Sequence, residues 1–143
     1  MPTKLQYPTG RGDLQPRTGF HPASSTVEEL AAVLYRYPNL RARGFVDDGA
    51  GPGVNVDQFA AALAWTLANL RRRKAINRHC SSYTLKHHAE SMVNRYISAG
   101  AMIAALVAAG FTVERCHPTS KNVWCNVSAD SIKALRSGGG VGR

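Results

Sequence analysis

Cys80, Cys116 and Cys125, together with His79, His87, His88 and His117, are the side chains best suited to metal binding or nucleophilic chemistry. A structural zinc site needs four converging ligands, which usually arrive as close pairs such as C-x₂₋₄-C. Here the thiols are far apart, and His79-Cys80 and Cys116-His117 are adjacent residues, an awkward geometry for chelating one ion. Cys116 and Cys125 could face each other across a hairpin, but Cys116 does not share the face of Phe111 and Val113. The cysteines therefore read as small apolar side chains and the histidines as surface imidazoles, with no metal and no cofactor expected. A Cys–His nucleophile pair lacks a third orienting group and an oxyanion loop. Asp47-Asp48-Gly49 with Asp57 lacks the alternating oxygen ligands of a calcium loop. Arg11-Gly12-Asp13 spells an integrin-binding tripeptide, a match short enough to arise by chance. Neither a P-loop, a G-x-G-x-x-G after a strand, nor H-E-x-x-H is present, so no enzyme is expected.

The other chemistry available is anion binding. The run Arg71-Arg72-Arg73-Lys74, followed by Arg78, is the densest positive feature, and Lys86, His87 and His88 come soon after. Cations at the C-terminal end of a helix gain a few tenths of a kcal/mol each from the macrodipole. Four adjacent cations also repel one another, which a merely structural terminus does not need, so anion binding is favoured. Ser81, Ser82 and Tyr83 add neutral phosphate donors. The whole chain shares the bias: 18 Lys+Arg against 9 Asp+Glu give a net charge of +9. Such an excess concentrates polyanions around a protein and is the usual footprint of nucleic-acid binding, although acidic proteins and anionic membranes satisfy the same arithmetic. Arginine outnumbers lysine, which suits bidentate contacts with phosphate.

The elements that must position these residues follow from periodicity and punctuation. The 143 residues suit one domain, and a hydrophobic fraction of 44% is enough for a core. Residues 1–24, with Pro2, Pro8, Pro16 and Pro22 among glycines, read as an extended arm bearing Lys4, Arg11 and Arg17. A first helix begins at Ser25 or Thr26, where Glu28 and Glu29 complete capping boxes, and ends before Pro38. Residues 44–55 form a glycine-rich connection. Asn55 or Asp57 caps a second helix that runs to about Arg73, with Val56, Phe59, Leu63, Leu67 and Leu70 on one side and Trp65 on another. Two apolar faces suggest a central helix, or one that also meets a protein partner or a second copy.

A third helix fits Tyr83–Tyr96 and a fourth Ala101–Ala109, the latter capped by Ser98 and terminated by Gly110. The period then changes to alternation, which predicts a hairpin over residues 111–127 with its turn around Lys121. A short helix, Ser128–Arg136, and a flexible tail from Ser137 to Arg143 complete the chain. The expected fold is thus mainly α (α+β): a compact helical domain over residues 25–136 with a C-terminal β-hairpin. The order helix, helix, hairpin is winged-helix-like. Between Ala99 and Gly110, however, no side chain can read a base edge, so the fourth helix is expected to be buried rather than in a groove.

The segments Ser82–Glu90, Tyr96–Ala105 and Gly110-Phe111 resemble a pattern found in small uncharacterised proteins of bacteriophages and mobile elements. The resemblance covers residues 82–111, implies a bacterial, phage or plasmid context, and brings no activity or site residues. Three thiols leave one unpaired, the N-terminus lacks a secretory apolar core, and no apolar run approaches the roughly 20 residues of a membrane span. A cytoplasmic protein with no membrane contact is expected. The leading expectation is a small DNA- or RNA-binding accessory protein that contacts the phosphate backbone through Arg71, Arg72, Arg73, Lys74, Arg78, Lys86 and Lys121, without chemistry. The alternatives are an interaction module, such as an inhibitor of a host defence complex docking through the Trp65 helix, and a structural particle component.

Overall fold

Helix α4 (Ala99–Ala108) explains the arrangement of the rest. Every residue from Gly100 to Val107 is buried, as a sequence of Gly, Ala, Met, Ile, Leu and Val requires. The computed structural model describes residues 22–141, which form five helices and two small antiparallel sheets. Around α4 pack α1 (Pro22–Arg36), α2 (Val56–Asn69), α3 (Ser82–Val93) and the short strands β1 (Leu40–Arg41) and β2 (Gly44–Phe45). The second sheet has the order β3-β5-β4, from β3 (Arg72–Ser81), β4 (Val113–Arg115) and β5 (Val123–Val127). Helix α5 (Ala129–Val141) follows β5 directly. The molecule is a mixed α/β domain whose C-terminal hairpin is the β4–β5 pair.

The caps at Asn55 and Ser98 form as expected, their side-chain oxygens accepting from Gln58 N at 2.9 Å and Ala101 N at 3.1 Å. A second bond ties these two helix starts together, Ser98 N donating to Gln58 Oε1 at 2.9 Å. Gly110 adopts a positive φ of 95° just after α4. Helix α1 starts at Pro22, where a missing N–H costs nothing, rather than at Ser25 or Thr26. The arm residues before it, with Lys4, Arg11, Arg17 and Arg11-Gly12-Asp13, lie outside the described residues. Helix α5 continues past Arg136 to Val141. The glycine-rich connection contains β2, where Gly44 is held at φ 106° with Lys121 backbone in the space a side chain would occupy. Gly100 is equally constrained: a Cβ there would collide with the carbonyl of Arg41, while its N–H donates to Ala42 O at 2.9 Å.

One expectation about α2 is corrected, and the alternative left open for its Trp65 face is decided in favour of the core. The helix ends at Asn69 rather than near Arg73, and Leu70 is already extended at φ −114° and ψ 142°. Tertiary contacts take over at that point. Arg71 N donates to Ser131 Oγ at 2.8 Å and Arg71 O accepts from Ser128 N at 2.8 Å, so the chain leaves the helix to meet the start of α5. Trp65, moreover, does not form a free second face. It is 4% exposed, and its Nε1 donates to Met92 Sδ of α3 at 3.1 Å. Leu67, placed by periodicity on the core side, is the residue left 45% exposed.

Candidate nucleic-acid interface

Strand β3 is an edge strand, paired to β5 on one side only. Its register runs Arg72↔Val127, Asn77↔Cys125 and Ser81↔Trp124, with irregularities between each pair. Over the first interval β3 uses more residues than β5, so Arg73 to Ile76 arch away from the ladder. Side-chain amides hold the arch at both ends. Asn126 Nδ2 donates to Arg73 O at 2.8 Å, and Asn77 Nδ2 donates to Val127 O at 3.1 Å. Asn77 Oδ1 also accepts from His79 N at 2.9 Å, and Asn126 Oδ1 accepts from Thr112 N at 2.8 Å. Both asparagines are buried, at 4% and 8% exposure, with bonds at oxygen and nitrogen alike. The backbone amides that a regular ladder would have paired are thus replaced by fixed side-chain bonds.

The arch carries the cations outward. Arg71, Arg72, Arg73, Lys74 and Arg78 are all exposed. Arg72 Nη1 reaches Gly110 O at 3.3 Å, and Arg73 folds onto its own arch, donating to Ala75 O at 3.0 Å and Ile76 O at 3.2 Å. None of Arg71, Arg72, Arg73 and Lys74 is in a salt bridge with a carboxylate among the described residues. Charge and irregularity on an edge strand also discourage unwanted strand pairing, so part of this pattern serves the fold.

The structure separates the remaining predicted contacts from this cluster. Arg78 is paired with Glu114 Oε1 at 2.6 Å, although both side chains stay about half exposed. Lys121 is exposed, but it precedes the Val123 end of β5, whereas Arg72 faces the Val127 end, roughly 13 Å away along the strand. The hairpin tip does not protrude as a wing. Lys121 O accepts from Phe45 N at 3.1 Å, and Arg115 ties the turn down through Ser120 O at 2.8 Å and Asp47 Oδ1 at 3.0 Å. A cavity of about 290 Å³, lined by Arg36, Tyr37, Phe45 and Arg115 among others, lies on the β4 side of the sheet, away from the β3 cations.

Lys86 belongs to the interior. It is 9% exposed, with Nζ donating to Glu90 Oε2 at 2.9 Å and lying 5.2 Å from the Tyr96 ring centre. Glu90 Oε2 also accepts from Ile97 N at 3.0 Å. Burial pushes the Glu90 carboxyl up, but these bonds to Ile97 and Lys86 outweigh it and hold it below its ordinary value. His88 is held low by burial first, and then by the charges of Arg136 and His87.

Arg136, exposed on α5, acts on Cys80 and His88, which places it by the helix-facing side of the sheet and at the far end of β3 from Arg72. One residue of the outer face was missed. Trp124 lies opposite Glu114 on β5, between the inward-facing Val123 and Cys125. The alternation that identified the hairpin already placed Trp124 on the outer face. Burial raises the Cys80 and Cys116 thiols and pushes Cys125 up to about 12. Among the described residues no three His, Cys, Asp or Glu side chains group as a metal site, and no helix is long and apolar enough to cross a membrane. No protein-family model matches the chain, and no curated protein or solved structure is significantly similar to it.

Proposed function

We propose that this chain is a non-enzymatic nucleic-acid-binding protein that grips the phosphate backbone through the start of β3. The observation that carries this reading is the exposed cluster Arg71, Arg72, Arg73 and Lys74 on a rigidly bracketed arch, without carboxylate partners among the described residues. Holding four like charges together costs repulsion, which a polyanion relieves while releasing its own counterions. The chain's net charge of +9 adds long-range attraction to that local site. The partly neutralised Arg78 extends it. Lys86 is left out because its ammonium is already used by Glu90, and Lys121 is a peripheral contact at most.

Helix α4 cannot read base edges, since it is buried and presents no polar side chain. Binding is therefore expected to be weakly selective and steeply salt-dependent. Three free thiols suit a reducing cytoplasm, and the resemblance over residues 82–111 suits a phage or mobile-element setting, both as parts of the proposal. Docking of a protein through the Trp65 face loses its basis, because that ring packs internally.

The test is affinity for nucleic acid across a salt series. Tight binding at low salt is expected, with log K falling linearly in log salt and the slope shrinking by about three in Arg71→Ala/Arg72→Ala/Arg73→Ala. Undetectable binding at low salt, or an unchanged slope in the triple variant, would overturn the reading.

A further inference from the structure

We infer that the nucleic acid held by this surface is single-stranded and that Trp124 stacks against one of its bases, an inference that rests on the phosphate-binding role of β3. The helices contact the inner face of the β3-β5-β4 sheet, where Val123, Cys125 and Val127 are fully buried. Cα pairing puts Trp124 directly opposite Glu114, on the other face. There the side chains of Arg78 and Glu114 meet at 2.6 Å although their strands are separated by β5, so the ion pair spans the strand that carries Trp124. Both partners remain about half exposed, so this face is open to solvent at the ion pair, whereas Asn126, two residues along on the same face, is buried beneath the arch.

Trp124 itself is partly exposed. Its sheet position is also the one paired with Ser81, so the ring sits at one end of β3 and the Arg71–Lys74 cluster at the other. A flexible strand can lie along this line, phosphates on the arch and a base on the indole, with Arg78 beside it. Stacking on an aromatic ring is tolerant of sequence because every base has a π face, but it requires a base that is not already stacked in a duplex. A duplex would find the cations yet not the ring, because its bases are already stacked.

The experiment compares a labelled oligothymidylate with a blunt duplex of equal length, using the full chain at low salt. Expected are about tenfold tighter binding of the single strand and quenching of tryptophan emission as it binds. The chain's other tryptophan, Trp65, is buried against Met92, so quenching reports Trp124. Trp124→Leu should cost about tenfold on oligothymidylate and leave the duplex unchanged, while Trp124→Phe retains most of the single-strand affinity. If Trp124→Leu fails to fold, the phenylalanine variant and the quenching decide. Binding of neither probe would sink the phosphate-binding role itself. Duplex binding as tight as single-strand binding, without quenching and indifferent to Trp124, leaves that role standing and overturns the stacking inference.

Discussion

Two basic stretches lie twelve positions apart in this chain and meet opposite fates. Arg71-Arg72-Arg73-Lys74 rides an arch on an edge strand and faces solvent, whereas Lys86 is drawn under Tyr83 and Tyr96 to a carboxylate. The cause is the element each occupies. On α3, Lys86 falls one position after Leu85, which is fully buried, so its aliphatic stem lies in the packing and its ammonium must find a local partner. On β3 the backbone is held away from β5, and no side chain from Arg71 to Ala75 is drawn inward. Net charge alone therefore does not separate the two stretches; what separates them is whether the described residues supply a carboxylate partner.

The comparison breaks most visibly at Lys86. Removing it in Lys86→Ala leaves Glu90 as a largely buried carboxylate whose main remaining bond is to Ile97 N. A loss of about 3 kcal/mol in unfolding free energy is expected by chemical denaturation, with nucleic-acid affinity of the folded fraction unchanged. A weakened affinity with undiminished stability would reverse the roles assigned here. The next effect belongs to the arch. Asn126→Ala deletes a side-chain amide that donates to Arg73 O and accepts from Thr112 N. It should cost about 1 kcal/mol by removing two part-buried hydrogen bonds, and it should loosen the cation cluster enough to lower affinity as well. Equilibrium unfolding and the salt series together measure both consequences.

Much of this contrast was legible in the sequence, and the remainder fails for identifiable reasons. The hairpin, the buried α4 and the caps at Asn55 and Ser98 follow from local patterns that the tertiary structure does not oppose. The long strand β3 was hidden because Arg71 to Lys74 have good helix propensity and simply extend the α2 pattern. What ends that helix is Ser128 and Ser131, distant residues that capture the Arg71 backbone. The burial of Trp65 likewise depends on Met92. Lys86 shows the limit of counting charges, since its i, i+4 spacing from Glu90 was available as a sign of pairing.

Acid sharpens the same division. Glu90 is held below its ordinary carboxyl value, so its contribution is present above about pH 4.5 and is lost as pH falls through its folded value. His88 is depressed below the ordinary imidazole value of 6.5, so the folded state resists its protonation and stability begins to fall as pH drops below that value. Unfolding midpoints measured from neutral pH downward should decline in these two stages. His88→Gln should flatten the upper stage alone, and Glu90→Gln should remove the lower one.

The smallest change in stability is expected where the largest change in charge is made. In Arg71→Ala/Arg72→Ala/Arg73→Ala the lost side-chain bonds are those of Arg72 to Gly110 O and of Arg73 to its own arch, all at exposed positions. The bonds that fix the strand use the Arg71 backbone and the Asn77 and Asn126 amides, which the triple variant retains. Each exposed substitution is worth within about 0.5 kcal/mol, and relief of repulsion among neighbouring guanidinium groups works in the opposite direction. The melting temperature should therefore stay close to that of the unaltered chain. A cooperative loss of stability in this variant would assign the cluster to the architecture of the edge strand, and an unchanged melt with a shallower salt slope assigns it to the polyanion.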